Sequence, residues 1–248
     1  MEHNRNTTCE KLSNLRKAIS KNLLQAQSST LTLSVFDEVD ISPILEARDH
    51  LRKVHKISIS LTGFFIKFCS IALQEFPLLN SYCKDDNIIF HQFSDISVAM
   101  STKEGLVVPV IKNVDSLNLF KIEKKLFQLN YKAFKKKLTP EDIQKGTFTI
   151  TNGGVFGSLI STPILNIPQS AILGIHKYQD KPVVIGKEIA IAKMMYITLS
   201  YDYRLIDNVL SNKFMRRIKD LVENATPATL MEAYSEDSLF ENSSPDYF

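Results

Sequence analysis

Two stretches of this chain hold the residues that could do chemistry. Residues 200–208 read Ser-Tyr-Asp-Tyr-Arg-Leu-Ile-Asp-Asn, which puts a phenol at Tyr203, a carboxylate at Asp207 and a carboxamide at Asn208 in one short segment. Upstream, residues 147–154 read Thr-Phe-Thr-Ile-Thr-Asn-Gly-Gly, a β-rich run ending on the hydroxyl of Thr151 ahead of a glycine-containing loop. A preorganised hydroxyl can donate to an oxygen on which negative charge develops. Thr151 taken alone is equally an ordinary strand-end threonine. A group that removes a proton near neutral pH must be largely unprotonated there, which suits an imidazole of pKa about 6.5 better than a phenol of about 10. At pH 7 an unperturbed phenol is ionised to about one part in a thousand, about 4 kcal/mol against acting as a base.

The elements that must position these groups follow from hydrophobic period. Residues 12–27 carry Leu12, Leu15, Ile19, Leu23 and Leu24 at helical spacing. Residues 32–40 alternate as a strand, and Ser42-Pro43 opens a helix predicted to run through Leu51. Residues 61–76 are apolar along most of their length, which predicts a helix buried on more than one side and ended by Pro77. Residues 87–93 and 96–100 read as paired strands. A turn at residues 103–105 leads to a strand over 106–111, whose Pro109 marks an edge or bulge. A basic amphipathic helix is predicted over 117–138, and Thr139-Pro140 caps the next. Further strands are expected at 147–151, 169–174 and 189–200, and a last helix at 209–223. Lys135, Lys136 and Lys137 read either as an anion-binding patch or as a solvated helix end. Strands and helices interleave irregularly, which points to α/β with a mixed sheet and flanking helices.

The chain has 248 residues, ample for a buried core. Thirty Lys and Arg against 27 Asp and Glu leave a net charge of +3, too small to argue for nucleic acid. No run approaches the roughly 18 apolar residues of a membrane span. Cys9, Cys69 and Cys83 show no Cys-x-x-Cys spacing, so neither a disulfide framework nor a metal site is expected, and a reducing compartment is the natural reading. Cys69 reads as a buried apolar residue. Residues 232–248 contain Glu232, Glu236, Asp237, Glu241 and Asp246 without Lys or Arg, and read as an acidic, partly disordered tail after a domain over residues 1–231.

The run over residues 146–174 resembles the catalytic domain of the dihydrolipoyl acyltransferases, the core subunits of 2-oxo acid dehydrogenase complexes, and is most similar to their succinyltransferase branch. The likeness extends through residues 36–40, 105–109 and 194–202 and covers roughly residues 10–225. It implies a chloramphenicol-acetyltransferase-like fold in trimers, with active sites between subunits and a larger cubic core left open. It also implies acyl transfer between dihydrolipoamide and coenzyme A, with the lipoyl group supplied by another domain or subunit and no metal. Other subunits of such a complex are the implied partners.

In that family a His-x-x-x-Asp-Gly motif supplies the base; the matching residues here are Tyr203, Asp207 and Asn208, with Thr151 as the oxyanion donor. The resemblance further implies that Arg16 pairs with Asp207 and that Arg204 and Asp202 are structural. It places Asn152, Gly153, Gly154, Ser101 and Thr102 along the substrate channel. Asn208 in place of Gly is expected to tolerate a positive φ. His3, His50, His55 and His91 show no catalytic context. His176 occupies a position where the family commonly has His, so the base reads as missing, not relocated. Three functions stay open: a succinyl-type acyltransferase, a non-catalytic structural or binding core subunit, and a coenzyme A-dependent transferase with another acceptor. The location implied is bacterial cytoplasm, or mitochondrial matrix in a eukaryote.

Overall fold

The structure is a computed structural model that describes residues 7–102 and 105–226; the acidic segment 232–248 and most of the expected turn at 103–105 lie outside it. Four of the long helices start where a short polar side chain meets their free amides. Ser13 accepts from the Arg16 amide at the head of α1 (Asn14–Ser29). Ser60 accepts from Gly63 in α3 (Leu61–Glu75), after α2 (Ser42–His55), which carries Pro in its first turn. Asn118 caps α4 (Leu119–Phe134), and Thr139 and Asp142 form a reciprocal capping box around the short α5 (Pro140–Ile143). Asp207 caps α6 (Asn208–Glu223) through the Leu210 amide at 2.7 Å. Helix α2 runs past its predicted end at Leu51 and stops where Lys56 turns left-handed.

A seven-stranded mixed sheet holds the chain together. Its strands are β1 (Thr32–Asp40), β4 (Ile96–Thr102), β5 (Gly105–Val107), β6 (Val110–Ile111), β7 (Phe148–Asn152), β8 (Ala171–Ile185) and β9 (Glu188–Asp202). Their order is β1-β9-β8-β7-β4-β5, with β6 beside β5 on the outer side of β4. The β4–β7 and β7–β8 pairs are parallel and the others antiparallel.

Three strand expectations need correction. The segment from Asn87 does not pair with β4: β3 (Asn87–Phe90) pairs with β2 (Ser81–Lys84) in a separate hairpin. A two-residue turn at Asp85 and Asp86, both at positive φ, lets the nearer partner win. The strand expected over 106–111 is broken at Val108-Pro109, because proline has no amide to donate; its carbonyl still accepts from Val98 at 2.8 Å. Finally, β8 and β9 are 15 residues each and form one long ribbon turning at Gly186; β9 is close to its predicted span of 189–200, whereas β8 runs on to Ile185, well past its predicted end at Gly174.

The sheet's two faces differ in kind. Phe148, Ile150, Leu173, Ile175, Ile197, Leu199 and Tyr201 alternate onto the helix side and are fully buried. There they meet α3, α4 and α6, and α3 is buried along most of its length as predicted, Cys69 included. Burial holds that thiol protonated, with its pKa raised far above the ordinary value. Onto the other face alternate Ser97, Thr149, Gly174, His176, Thr198 and Ser200, all buried: His176 pairs with Thr198, Thr149 donates to Gln169, which donates to Ser97, and Ser200 pairs with Ser34. Thr151 belongs to this face.

Candidate active site

Thr151 sits near the end of β7, level with Ala99 on one side and Gly174 on the other. The same row continues to Thr198 on β9 and Phe36 on β1. Because strand residues alternate, Thr151 projects from the polar face and Asn152 from the helix face. Asn152 is used there: its Nδ2 donates to Oγ1 of Thr62 on α3, and its Oδ1 accepts from the Gly154 amide. Of the other residues expected to line a channel, Ser101 is exposed on the same face as Thr151, while Thr102 alternates away and donates to the Gly105 carbonyl.

The turn after Thr151 is held against β8 by backbone contact. A Cβ on Gly154 would lie 2.5 Å from the carbonyl carbon and oxygen of His176, so this position admits only glycine without a shift of main chain. The Gly153 amide donates to the Ile175 carbonyl and Lys177 donates to Ser158, clamping the loop over the irregularity between Ile175 and Tyr178. Both glycines thus shape the turn.

Beneath it lies His176, the residue that sequence reasoning set aside. It is 2% exposed, its Nε2 pairs with Oγ1 of Thr198 at 3.1 Å, and its Nδ1 has no partner. Its ring packs over Gly174, the register neighbour of Thr151; a Cβ on Gly174 would sit 3.3 Å from Nε2. Burial lowers its pKa and keeps it neutral. Covered by Gly153 and Gly154, it has no open path to a substrate in one chain. The sequence signal that could have marked it was its alternation with Gly174 onto a face otherwise made of hydroxyls.

Tyr203 lies just beyond the end of β9 and is 42% exposed. Its position is set by its neighbours: its amide donates to the Leu31 carbonyl, and Asp202, 2% exposed, receives Arg204 Nε on both carboxylate oxygens. The amides of Leu205 and Ile206 also converge on the Asp202 carbonyl. Arg204 is therefore fixed on Asp202, and that hydrogen-bonded carboxylate raises its pKa.

Two expectations about this loop fail within a single chain. Asn208 does not adopt positive φ; it is the first residue of α6, and its Oδ1 accepts from the buried Tyr201 hydroxyl at 2.6 Å. No ion pair joins Arg16 to Asp207 among the described residues. The Asp207 carboxylate is spent on capping α6, and α1, whose described side chains are exposed apart from Ala26 and the partly covered Ile19, is not held against the loop.

Thr151 and Tyr203 are not brought together in one chain. Thr198 lies two strands from Thr151, and Tyr203 five residues further along the chain, just past the end of β9. Spacings of about 4.8 Å between strands and about 3.3 Å per residue put their backbones roughly 19 Å apart. A phenol and a hydroxyl that far apart cannot act on one carbonyl. Among the described residues no group of three or more His, Cys, Asp or Glu could hold a metal, and no helix is long and apolar enough to cross a membrane.

Comparison with known proteins fits this geometry. Residues 4–231 match the family of 2-oxoacid dehydrogenases acyltransferase (catalytic domain). The chain is 44% identical over 219 residues to the dihydrolipoyllysine-residue succinyltransferase component of the 2-oxoglutarate dehydrogenase complex of Escherichia coli, covering 87% of this chain and 54% of that protein. The mitochondrial counterpart of Bos taurus is 45% identical, covering 87% of this chain and 49% of its own length, so the chain spans about half of these relatives.

Among solved structures, the cubic core of a pyruvate dehydrogenase multienzyme complex superposes with a TM-score of 0.85 at 30% identity, over 88% of this chain and 92% of that one. The dihydrolipoamide acetyltransferase of Azotobacter vinelandii gives 0.86 at 29% identity, over 91% and 94%. That structure was determined to address the roles of a serine, a histidine and an asparagine in its catalytic mechanism, and their spacing along its chain equals that of Thr151, Tyr203 and Asp207 here. Chloramphenicol acetyltransferase shares the fold alone, with a TM-score of 0.52 at 13% identity over 82% of this chain and 94% of that one. The chain belongs to the catalytic-domain family of the 2-oxoacid dehydrogenase acyltransferases.

Proposed function

We propose that this chain is a core subunit of the succinyltransferase type, with its acyl-transfer site formed between copies and proton transfer slowed by Tyr203. The observation that carries this reading is the separation of Thr151 from Tyr203 by roughly 19 Å in one chain although both stand at motif positions. Thr151 of one copy then faces Tyr203 of the next. Exposed apolar side chains beside the site, Val155, Phe156, Leu159 and Ile160, and on α1, Leu12 and Leu24, supply surface for such contact. A homotrimer is the smallest assembly of this kind that the resemblance implies, and a larger cubic core is the form of the solved relative.

In this assembly the reaction moves an acyl group between dihydrolipoamide and coenzyme A. The attacking thiol adds to the thioester carbonyl and gives its proton to a base, the Thr151 hydroxyl donates to the oxyanion that forms, and collapse of this intermediate breaks the original C–S bond and expels the other thiolate, which takes the proton back. Coenzyme A is a substrate, and the lipoyl group comes from a lipoylated domain or another subunit of the complex. The succinyltransferase relatives favour a dicarboxylic acyl group. The setting is bacterial cytoplasm or mitochondrial matrix; the relatives include a bacterial protein and a mitochondrial one.

A second reading, a non-catalytic structural or binding core, is favoured by Tyr203 itself, since a neutral phenol is a poor base. The experiment is succinyl transfer to dihydrolipoamide by the wild type and by Tyr203→His. The wild type is expected at least a hundredfold below the variant. Equal, brisk rates overturn the impaired-base reading, and failure of both proteins to turn over while binding coenzyme A selects the non-catalytic core.

A further inference from the structure

The shared-site reading above, on which this inference rests, leaves open which neighbour the site requires. The two half-sites of this chain are unequal. On the donor side Thr151 stands near the end of β7, and the turn after it is fixed by the close approach of Gly154 to the main chain of His176. On the other side the loop is just as firmly mounted: the Tyr203 amide donates to the Leu31 carbonyl, Arg204 donates to Asp202, and Tyr201 donates to Asn208. What that loop presents is a phenol, a poor base near neutral pH. Roughly 19 Å separate the two sides in one chain, so the site that Thr151 serves is not the site that Tyr203 impairs.

The surface around each half-site bears on which neighbours fit. Residues 146–175 contain no Asp, Glu, Lys or Arg, and Val155, Phe156, Leu159 and Ile160 are exposed within them. Around Tyr203, Leu31, Leu33 and Val209 are exposed as well. Of the charges in that loop, Arg204 is paired with Asp202, and the Asp207 carboxylate caps α6. Contact between two such apolar surfaces discriminates weakly among related chains, because rejection of a wrong partner takes an opposed charge or an unpaired polar group. Chains with an imidazole in the required place exist in the family: the acetyltransferase of Azotobacter vinelandii has a histidine, addressed for its catalytic mechanism, at the spacing that separates Tyr203 from Thr151.

We propose that this chain is the donor half of a mixed acyltransferase, in which Thr151 is completed by the loop of a neighbouring family chain that carries an imidazole at the position of Tyr203. At that interface the imidazole takes the proton of the attacking thiol, Thr151 donates to the oxyanion, and the proton returns to the thiolate that leaves.

The test co-expresses the wild type with Thr151→Ala/Tyr203→His, a chain that has the imidazole and lacks the donor. Mixed assemblies are isolated through two different affinity tags and verified by native mass spectrometry. A closed trimer of two chain types has one interface at which the wild-type Thr151 meets the variant's imidazole, so succinyl transfer is expected at about a third of the Tyr203→His rate per trimer. Each chain alone is expected about thirtyfold below the mixture. Replacing the wild type by Thr151→Ala in the mixture is expected to abolish the gain. Mixed assemblies no faster than the two chains alone, or a gain that survives that replacement, overturn the proposal while Tyr203→His is active. A wild type as fast as Tyr203→His overturns it too, since no partner is then required. Should Tyr203→His fail to turn over, or the protein stay monomeric, the shared-site acyltransferase reading falls and takes the inference with it.

Discussion

The hydroxyl of Tyr201 donates to Oδ1 of Asn208 at 2.6 Å, and Tyr201 is fully buried. This bond ties the end of β9 to the start of α6 across the turn that presents Tyr203. In Asn208→Gly the hydroxyl loses its acceptor and glycine adds backbone entropy, so unfolding stability is expected to fall by about 1–2 kcal/mol. Urea denaturation reads this. In a Tyr201→Phe background the same substitution should cost less, because no buried donor is stranded; equal losses in both backgrounds would assign the effect to backbone entropy alone.

Thr151 is best tested where an imidazole is present. In Tyr203→His, the further change Thr151→Ala is expected to lower kcat/KM for succinyl transfer by about a hundredfold, corresponding to about 3 kcal/mol for one oxyanion donor. Thr151→Ser should keep most of the activity, since the hydroxyl is retained. An unchanged rate in the alanine variant removes Thr151 from the chemistry.

Gly154 and Gly157 separate two kinds of glycine requirement. Gly154→Ala forces a methyl into the main chain of His176 at 2.5 Å and is expected to cost about 2 kcal/mol or more, seen as a lowered Tm. Gly157→Ala meets open space but sits at φ +83°, so its cost should be about 1 kcal/mol. If the two variants melt together, the close approach over β8 is not a constraint.

The buried neutral His176 makes stability depend on pH. Its pKa is lowered in the fold because burial penalises the imidazolium, so the unfolded chain takes up a proton first as pH falls below about 6.5. Stability present above that value is lost as pH drops toward the folded pKa. His91 is lowered chiefly by the same cause, with Asp95 opposing it, and acts in the same direction. The informative quantity is therefore the difference from His176→Gln: the urea midpoint of the wild type should fall more steeply between pH 8 and pH 5. Parallel curves would acquit His176.

Much of the fold was legible because local rules and burial agreed. The helical spacing of residues 12–27 and the unbroken apolar content of residues 61–76 gave an amphipathic helix and a buried helix that the structure has, the first starting two residues later, after Ser13. Strand β1 matched from end to end because its alternation is closed by turn residues on both sides. Pairing was less legible. Residues 87–90 prefer β2 to β4 because a tight turn makes that closure short, and no periodicity of a strand names its partner. The length of β8 beyond Gly174 was missed because residues 177–185 are mostly exposed, Val184 and Ile185 among them, so burial gives no pattern there.

By itself the sequence determined which groups are available: a hydroxyl at Thr151, a phenol where an imidazole would serve proton transfer, and a carboxylate four residues on. Residue identity sets pKa and donor count, and no fold can add a missing nitrogen. The tertiary structure decided where those groups point and what they are already doing. It committed Asp207 to a helix cap, gave Asn208 to Tyr201, sealed His176 beneath two glycines, and set Thr151 and Tyr203 too far apart to meet in one chain. Those outcomes depend on strand register and on competition for hydrogen bonds, which exist only once distant segments are side by side.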